Sequence, residues 1–405
     1  MERLLNVRFA SVQKVTHVWL QTAQISFSFQ SILVAVAIGL VVSLLYPILL
    51  VQYTDEISTK DASQTVRSCT PTRGRIGILL YVDSPKRYNV TLSSWHCYAQ
   101  LHGYKIFVVQ AYFESLDSQK ACAGVISLFF RRHCIASIYL EQVDWLLFVD
   151  ADSAVINMSR CLEEFVDPNY HIVHFERFFS GEVAAGSYFV RNSPEGKSYL
   201  AKWYQNEGIM RQVNFHNMDN GVLQLNVLSE LGVRSSKIAE CHQMFLAANS
   251  LRTYFVYLGC TKRLLQNISK KQRQQSSIKI LEPLHGWMRD GWLTSYYWSS
   301  TDFILHGFKQ QSDALLRFLT DRVCSKDSVP AQNYWIFLWP TKHYFQTSLP
   351  VFLKLIASAE RRSARYHPDV FTRRAKIADC FPHCQPLEGE QLQSQRENIR
   401  LSIFK

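Results

Sequence analysis

The sequence predicts an α/β domain with a mainly parallel sheet flanked by helices, placed after one N-terminal transmembrane helix. Two observations predict this fold class. Between residues 75 and 149, three short and nearly continuous apolar runs alternate with stretches whose apolar residues have helical spacing. Strands buried on both faces are continuous apolar runs, and their alternation with helices is typical of a parallel sheet. Ahead of this region, residues 31–51 form one uncharged apolar run.

The run from Ser31 to Val51 is long enough to cross a bilayer as a helix. At about 1.5 Å per residue its 21 residues span roughly 31 Å. A cleaved signal peptide is the alternative, but the run begins late and no small-x-small site follows it. Basic residues precede the run and acidic residues follow it. We therefore expect residues 1–30 to be a cytosolic tail, 52–73 a stem, and the rest to be lumenal.

The folded domain is predicted to begin at residue 74, and each element follows from a local pattern. We predict strands over residues 75–82, 104–109 and 144–149, and helices over residues 91–102 and 118–142. Gly103, directly after the first helix, is typical of a helix end. In parallel α/β sheets, ligands bind beyond the carboxyl ends of the strands. Asp83 and the residues after Val149 are therefore candidate binding residues.

Asp150-Ala151-Asp152 follows the third predicted strand directly. In an extended segment the two carboxylates would point the same way, and Mg2+ and Mn2+ prefer carboxylate oxygens. The alternative is a solvated turn, since two acidic residues around one small residue are common. Charge at the end of a buried strand requires compensation, which favours a metal site.

Composition excludes several classes of protein. The 405 residues are 47% apolar and 19% charged, which excludes a disordered, collagen-like or coiled-coil chain. Forty-four Lys and Arg against 33 Asp and Glu give a net charge of +11, which indicates affinity for anions without identifying one. The basic residues are spread out and no nucleic-acid-binding signature accompanies them. We expect no nucleic-acid partner.

Two features agree with a lumenal domain. Glycosylation sequons occur at Asn89, Asn157 and Asn267, and all ten cysteines follow the apolar run. An even number of cysteines in an oxidising compartment predicts disulfides, although spacing does not give their pairing. For Cys380 and Cys384 a disulfide or free thiols fit better than zinc, because a second pair of zinc ligands is missing.

Several motifs resemble known glycosyltransferases. Residues 145–156, WLLFVDADSAVI, are similar to the D-x-D strand of GT-A enzymes. Residues 98–104, YAQLHGY, and 185–193, AGSYFVRNS, resemble segments of the fungal and plant galactosyl/xylosyltransferase family. Residues 219–221, DNG, stand where that family has an Asp-Gln pair, and residues 305–309, LHGFK, stand where GT-A enzymes place a late histidine motif.

The same order and spacing hold over roughly residues 75–309. The chain also resembles a nematode-expanded group of uncharacterised type II membrane proteins, and residues 289–292, RDGW, fit that group. The resemblance implies a Rossmann-like GT-A catalytic domain over residues 74–320, followed by a basic, partly helical appendage over residues 321–405. It also implies a single-pass protein of the Golgi membrane.

The activity implied is transfer of a hexose or pentose from a nucleotide-sugar, in particular a UDP-sugar, to a hydroxyl of a glycan acceptor, with retention. The resemblance assigns Mn2+, or Mg2+, to Asp150, Asp152 and His306. Donor-binding residues would be Asp83, Asp150, Arg132, Gly186, Gly307 and Lys309. Catalytic residues would be Asp219 and Asn220, and acceptor-binding residues would be Arg289, Asp290 and Trp292.

Plainer interpretations remain for several of these residues. Asp219 could cap a helix, Lys309 could be an exposed lysine, and Trp292 could belong to the core. Asn220 also departs from the family's glutamine. The alternatives to an active enzyme are a catalytically inactive scaffold of the same fold and a lectin-like glycan-binding membrane protein. The intact set of three metal ligands favours the enzyme, and a homo-oligomer is left open.

Overall fold

A computed structural model describes residue 69 and residues 74–210, 212–213, 215, 218–309, 346–367 and 376–384. These residues belong to one compact unit, residues 65–405. The predicted cytosolic tail, the predicted anchor and the predicted stem apart from Cys69 lie outside the described residues. Within the described ranges, no helix is both long enough and apolar enough to span a membrane.

Nine strands are described along the chain. They are β1 (Ile76–Val82), β2 (Lys105–Gln110), β3 (Trp145–Val149), β4 (Ser153–Val155), β5 (Ile172–Phe175), β6 (Ser187–Arg191), β7 (Ile278–Leu281), β8 (Met288–Asp290) and β9 (Ile304–His306). Six of them form the central sheet, in the order β2-β1-β3-β6-β5-β7. Strand β6 runs antiparallel to both of its neighbours, and the other pairs are parallel. The prediction of a mainly parallel sheet is confirmed.

Helices cover both faces of this sheet. They are α1 (Asn89–His102), α2 (Leu116–Ala121), α3 (Leu128–Tyr139), α4 (Pro194–Gln205), α5 (Glu207–Met210), α6 (Met218–Glu230), α7 (Ser235–Leu246), α8 (Leu251–Gln266), α9 (Lys270–Gln275), α10 (Leu349–Tyr366) and α11 (Ile377–Cys380). Strand β3 is buried along its whole length. Its alternate side chains enter two apolar cores, since Phe148 packs with α3 on one face and Leu147 packs with α1 on the other.

The predicted strands and the first helix agree with the structure to within two residues, and Gly103 ends α1 with a φ of 73°. The single helix predicted over residues 118–142 is wrong. Helices α2 and α3 replace it, and the loop between them is held by side chains. Arg131 donates to the carbonyls of Cys122 and Val125, and the carboxylate of Glu207 accepts from the amide of Ser127, at 2.6 Å. These bonds satisfy backbone groups that a continuous helix would satisfy internally.

A second, three-stranded sheet joins the central one at the end of β3. Its order is β4-β9-β8. Ser153 of β4 pairs with His306 of β9, and Asp290 of β8 pairs with His306 from the other side. His306 therefore lies at the carboxyl end of β9, the middle strand of the small sheet. This register brings it beside the turn that follows β3.

The predicted disulfides are confirmed. The described bonds are Cys69–Cys161, Cys122–Cys134, Cys241–Cys260 and Cys380–Cys384, and Cys97 is also disulfide-bonded. Cys380 and Cys384 thus form a disulfide and not a zinc site. In the predicted appendage, α10 packs against the short 3-10 helix Gly291–Thr294 through a small apolar cluster that includes Leu293, Phe352 and Ile356.

Candidate metal centre

The turn after β3 carries two carboxylates. The carbonyl of Asp150 accepts from the amide and the hydroxyl of Ser153, at 3.1 and 2.5 Å, and Thr91 donates to the carbonyl of Ala151. The segment from Asp150 to Asp152 is therefore a tight turn and not the extended segment that the sequence predicted. Both carboxylates still face the same side, since each lies within 4 Å of Nε2 of His306.

His306 meets these carboxylates from β9. Its Nε2 lies 3.2 Å from Oδ1 of Asp152 and 3.8 Å from Oδ2 of Asp150. One ligand atom from each of the three residues lies within 4.8 Å of the others. Carboxylate oxygens with one imidazole nitrogen suit Mn2+ and related divalent ions. The structure thus brings together the three residues that the sequence analysis selected as metal ligands.

A buried oxygen of Asp152 supports a cation at this place. Oδ2 of Asp152 is buried, and no described residue donates a hydrogen bond to it. Nζ of Lys309 is 3.7 Å away, beyond hydrogen-bond distance, on a side chain that is 71% exposed. A buried carboxylate oxygen without a donor is unfavourable, and a bound cation would satisfy it. The residues present therefore fit a divalent ion.

The charges in the cluster are coupled. Burial raises the pKa of the Asp150 carboxyl above its ordinary value, against the effect of Arg132. Burial also acts to raise the pKa of Asp152, but the hydrogen bond with His306 and the positive charges of His306 and Lys309 together lower it. Burial acts to lower the pKa of His306, but hydrogen bonds to Asp152 and Asp290 raise it to about 10. A protonated His306 therefore balances the carboxylates when no cation does, and cation binding would displace that proton.

The opposite edge of the imidazole contacts Asp290. Nδ1 of His306 lies 2.8 Å from Oδ1 of Asp290, which is only 3% exposed. Arg177 forms an ion pair with the same carboxylate at 2.8 Å. Burial acts to raise the pKa of Asp290, but Arg177 and His306 hold it well below its ordinary value. The carboxylate of Asp290 thus pairs with two protein side chains, and its acceptor-binding role stays a prediction.

Asp150 is held from behind by Arg132. Nη1 of Arg132 lies 2.5 Å from Oδ1 of Asp150, and its Nη2 lies 2.5 Å from Oδ2 of Asp219. Nε2 of His133 contacts the same oxygen of Asp219 at 2.6 Å. Asp219 is fully buried. It lies one side chain away from the metal centre, so the structure gives it a supporting position and not the substrate contact that its predicted catalytic role requires.

Gly186 is in direct contact with Asp150. The amide of Asp150 donates to the carbonyl of Gly186 at 2.8 Å, and a Cβ at Gly186 would lie 2.1 Å from Oδ2 of Asp150. Asn220 lies nearby, and its Oδ1 accepts from the amide of Ala185 at 3.2 Å. Gly186 and Asn220 line a small cavity of about 40 Å³ together with Asp150, Arg177, Asp290 and His306.

A larger cleft opens on the other side of the carboxylates. Its volume is about 520 Å³, within the usual range for ligand sites. The polar and aromatic residues that line it include Asp83, Arg87, Tyr88, Phe129, Arg132, Asp150, Asp152 and Lys309. Of these residues, Asp83 was predicted from the sequence, whereas Arg87, Tyr88 and Phe129 were not. Asp83 pairs with Arg87 at 2.9 Å. The position of Arg87 and Tyr88 just after β1 could have indicated them, whereas no pattern indicated Phe129.

The remaining predicted site residues have different surroundings. Arg289 is buried, pairs with Asp302 at 2.5 Å and also lines the small cavity, and its acceptor-binding role stays a prediction. Trp292 is 45% exposed and packs edge-on against Phe179. Gly307 has a φ of 108°, and a Cβ there would lie 3.3 Å from the ring of Trp292. Backbone conformation and space thus both account for the glycine.

The sequons differ in accessibility. Asn89 and Asn267 are exposed, at the start of α1 and just after α8. Asn157 is half-buried, and its Nδ2 donates to the carbonyl of Ser300 at 3.0 Å. Asn157 is therefore less accessible to modification than the other two asparagines.

One motif of the family resemblance lies away from the cleft. Tyr98 donates to the carbonyl of Arg160, and Tyr104 donates to Glu163. Nδ1 of His102 accepts from the amide of Cys69, which is bonded to Cys161. These contacts attach the start of the domain to the segment after β4. The motif is therefore structural in this chain.

Fold and site together define an α/β protein with two carboxylates and a histidine converging beside a cleft at the carboxyl edge of its sheet. Residues 95–319 match the model of a family described as "Protein of unknown function, DUF273". That match covers more than half of the chain, so the chain belongs to the DUF273 family. The groups named from the motifs are not confirmed by it, and those resemblances stay predictions.

The solved structures that match include a glycosyltransferase involved in the glycosylation of the major capsid of PBCV-1. The two chains share 14% identity with a TM-score of 0.37, over 59% of this chain and 95% of that chain. A likeness this slight carries no argument about activity. No curated protein matches this chain.

Proposed function

We propose that this chain is a metal-dependent glycosyltransferase that moves a hexose or pentose from a UDP-sugar to a hydroxyl of a glycan. The observation that carries the proposal is the convergence of Asp150, Asp152 and His306 at the wall of the large cleft. His306 lies more than 150 positions after the two aspartates in sequence, and folding brings the ligand atoms of all three residues within reach of one ion. The resemblance of the surrounding motifs to GT-A enzymes supports the same reaction class.

Asp150, Asp152 and His306 would hold Mn2+ or Mg2+, which would neutralise charge on the departing diphosphate. The large cleft offers the groups that a nucleotide requires. Lys309 at its rim can pair with a phosphate, and Tyr88 and Phe129 provide aromatic surfaces for a base. Arg132 keeps the Asp150 carboxylate in place.

The smaller cavity lies beyond Asp150 and His306, where the sugar of a donor held in the cleft would be. Asn220 offers an amide there. Position 186 has no space for a side chain, because a Cβ would meet the Asp150 carboxylate. Trp292 is the predicted acceptor residue with an accessible aromatic surface, which suits the face of a sugar. We propose that the transfer retains the anomeric configuration of the sugar, as the family resemblance implies. Asp219 is fully buried and paired with Arg132 and His133, and we assign it a supporting role in place of its predicted catalytic one.

Placement in the Golgi lumen, behind a type II anchor, completes the proposal. Disulfides persist in oxidising compartments and are rare in the cytosol. The bonds described in residues 69–384 are consistent with the predicted orientation, in which everything after residue 51 is lumenal.

Donor turnover tests the proposal. The full-length protein, purified in detergent, is assayed for hydrolysis and transfer with a panel of UDP- and GDP-sugars, with Mn2+ and with EDTA. We expect turnover of a UDP-sugar that requires Mn2+. Asp152→Asn removes one ligand charge at constant volume and should lower this turnover by about 100-fold or more.

Asp167→Asn is the matched control. Asp167 pairs with Lys279 at 2.8 Å near the amino ends of β5 and β7, which is the sheet edge opposite the cleft. Its turnover should equal that of the wild type. If the folded protein bound no nucleotide in the presence of Mn2+, the transferase proposal would be wrong. A scaffold or lectin-like function would then replace it.

A further inference from the structure

Asp290 and His306 stand side by side on paired parallel strands. In the β8–β9 register the two residues are direct partners, and Nδ1 of the imidazole lies 2.8 Å from Oδ1 of the carboxylate. We propose that Asp290 is a positioning residue of the metal centre. It holds His306 with a proton on Nδ1 and directs the unprotonated Nε2 at the space between Asp150 and Asp152. This inference rests on the proposed function, since it assigns a role toward the same metal ion.

Both oxygens of the Asp290 carboxylate face protein groups, although the residue also lines the small cavity. The residue is 3% exposed. Oδ1 faces His306 and Nη2 of Arg177, and Oδ2 faces Nε of Arg177 at 3.3 Å. Both oxygens therefore have protein partners, which orient the carboxylate toward the imidazole.

Arg177 gives Asp290 a fixed support. Its guanidinium also pairs with Glu182 at 3.1 Å, and Tyr254 of α8 donates to Glu182 at 2.9 Å. The amide of Arg177 donates to the carbonyl of Glu182 at 2.8 Å, which closes the loop between them. Charges of opposite sign thus alternate from Asp290 through Arg177 to Glu182, and the buried Tyr254 of α8 holds Glu182 in place.

The chemistry of imidazole explains why such a partner matters. A neutral ring has one nitrogen that carries hydrogen and one that carries a lone pair, and the partner of the first nitrogen fixes which is which. A carboxylate at Nδ1 accepts a proton and leaves Nε2 free to bind a cation. An amide at position 290 can instead donate to Nδ1. That would place the hydrogen on Nε2, where it blocks coordination.

The plainer alternative is that Asp290 only joins β8 to Arg177. Asp302 provides a matched comparison for it. Asp302 is a similarly buried carboxylate that pairs with the neighbouring arginine, Arg289, and no bond to His306 is described for it. A purely structural role predicts similar effects of substituting either aspartate, whereas the positioning role predicts an effect on metal coordination for Asp290 alone.

Mn2+ binding to the full-length protein tests the inference without any activity assay. Electron paramagnetic resonance gives the affinity, and electron spin echo modulation reports nitrogen coordinated to the ion. The wild type should bind Mn2+ with a nitrogen signal that His306→Ala abolishes. Asp290→Asn should weaken binding about 10- to 100-fold and reduce the nitrogen signal. Asp302→Asn should keep both within about twofold of the wild type at equal folding.

The outcomes separate this inference from the proposed function. If Asp290→Asn bound Mn2+ like the wild type and kept the nitrogen signal, the positioning role would be wrong and the metal site would stand. Bound Mn2+ without a nitrogen signal in the wild type would also overturn the inference, since His306 would not be a ligand. A wild type that bound no Mn2+ would overturn the proposed function itself, and the inference with it.

A second variant covers the case in which Asp290→Asn does not fold. Arg177→Lys keeps a positive charge but cannot contact both oxygens of Asp290 in parallel. Mn2+ affinity should fall several-fold in this variant. In the His306→Ala background, adding Arg177→Lys should cause no further fall in affinity. An unchanged affinity, or an equal fall in the absence of His306, would overturn the inference.

Discussion

Gly186 shows how tightly the candidate metal centre is built. Its α-carbon faces the Asp150 carboxylate so closely that any side chain would occupy the position of Oδ2, since an added Cβ would lie 2.1 Å from that atom. The amide of Asp150 is bound to the carbonyl of Gly186 as well, so the two residues cannot separate without breaking a backbone hydrogen bond. If a side chain is added at position 186, the Asp150 carboxylate must therefore move.

We expect Gly186→Ala to displace Asp150 and to lower the affinity for Mn2+ by about tenfold or more, as changes beside metal ligands do. Overpacking should cost about 1–3 kcal/mol in the free energy of unfolding. Titration of the full-length protein with Mn2+ measures the first effect. Gly208→Ala is the control, because a Cβ at Gly208 meets no atom within 4 Å. A Gly186→Ala variant with wild-type affinity would contradict this account of Asp150.

The residues of the site were not equally predictable from sequence. Asp150 and Asp152 could be selected because they directly follow a buried strand, and His306 because residues 305–309 resemble the late histidine motif of GT-A enzymes. The neighbours of these ligands could not be predicted. Arg177 reaches Asp290 only through the fold of its loop, and Asp290 reaches His306 only through the β8–β9 register. Local patterns do not encode contacts of that kind.

Helices α2 and α3 show why one element was missed. Residues 118–142 contain apolar residues at helical spacing throughout, which favours one long helix. The break depends on a distant residue, since the carboxylate of Glu207 binds the amides of Ile126 and Ser127 at the start of α3. Tertiary contacts therefore override the local preference, as they often do for helices.

Helix α10 is the described element that attaches the C-terminal region to the domain. Phe352 and Ile356 are almost fully buried on one face of it, and Arg362 donates to the carbonyl of Leu293 at 2.9 Å. The ring of Phe352 also lies 5.0 Å from the guanidinium of Arg289 on β8. The helix therefore supports the strand that carries Asp290.

We expect Ile356→Ala to lower the free energy of unfolding by about 2–5 kcal/mol, because it removes a buried side chain and leaves a cavity. Chemical denaturation followed by tryptophan fluorescence measures this loss. Val351→Ala is the control on the same helix. Val351 is 47% exposed, so its truncation should cost less than about 1 kcal/mol. Equal effects of the two substitutions would show that α10 is not docked through its Ile356 face.

The molecule as a whole joins two sheets at the candidate site. The parallel arrangement of β2, β1 and β3 could be predicted, because alternating apolar runs and helices permit little else. The antiparallel strand β6 and the small sheet could not be predicted, since short strands such as β4, β8 and β9 have too few residues for a pattern. Only the assembled molecule shows that His306 and Asp152 lie on the same side of one cleft.

Two buried histidines make the stability of the whole molecule depend on pH. Burial lowers the pKa of His174 from 6.5 to about 3 and that of His133 to about 4. His174 is fully buried, and its described hydrogen-bond partners, Tyr199 and the carbonyl of Ala184, are uncharged. Between pH 6.5 and the lowered value, the unfolded chain binds a proton that the folded chain does not. The contribution of these histidines to the free energy of unfolding is therefore fully present above about pH 6.5, and it decreases as the pH falls below that value.

The size and origin of this effect can be tested by His174→Asn. When the pH is lowered from about 7 to about 5, each of the two histidines should remove about 2 kcal/mol from the free energy of unfolding. An asparagine can still bond both partners of His174 but does not titrate, so the variant should lose about 2 kcal/mol less than the wild type over this range. Urea denaturation at the two pH values, with EDTA present, measures the difference. His306 adds no slope below pH 6.5, because its raised pKa makes its contribution fall only as the pH rises toward about 10. An equal loss of stability in the variant and the wild type would show that His174 takes up its proton in the folded protein.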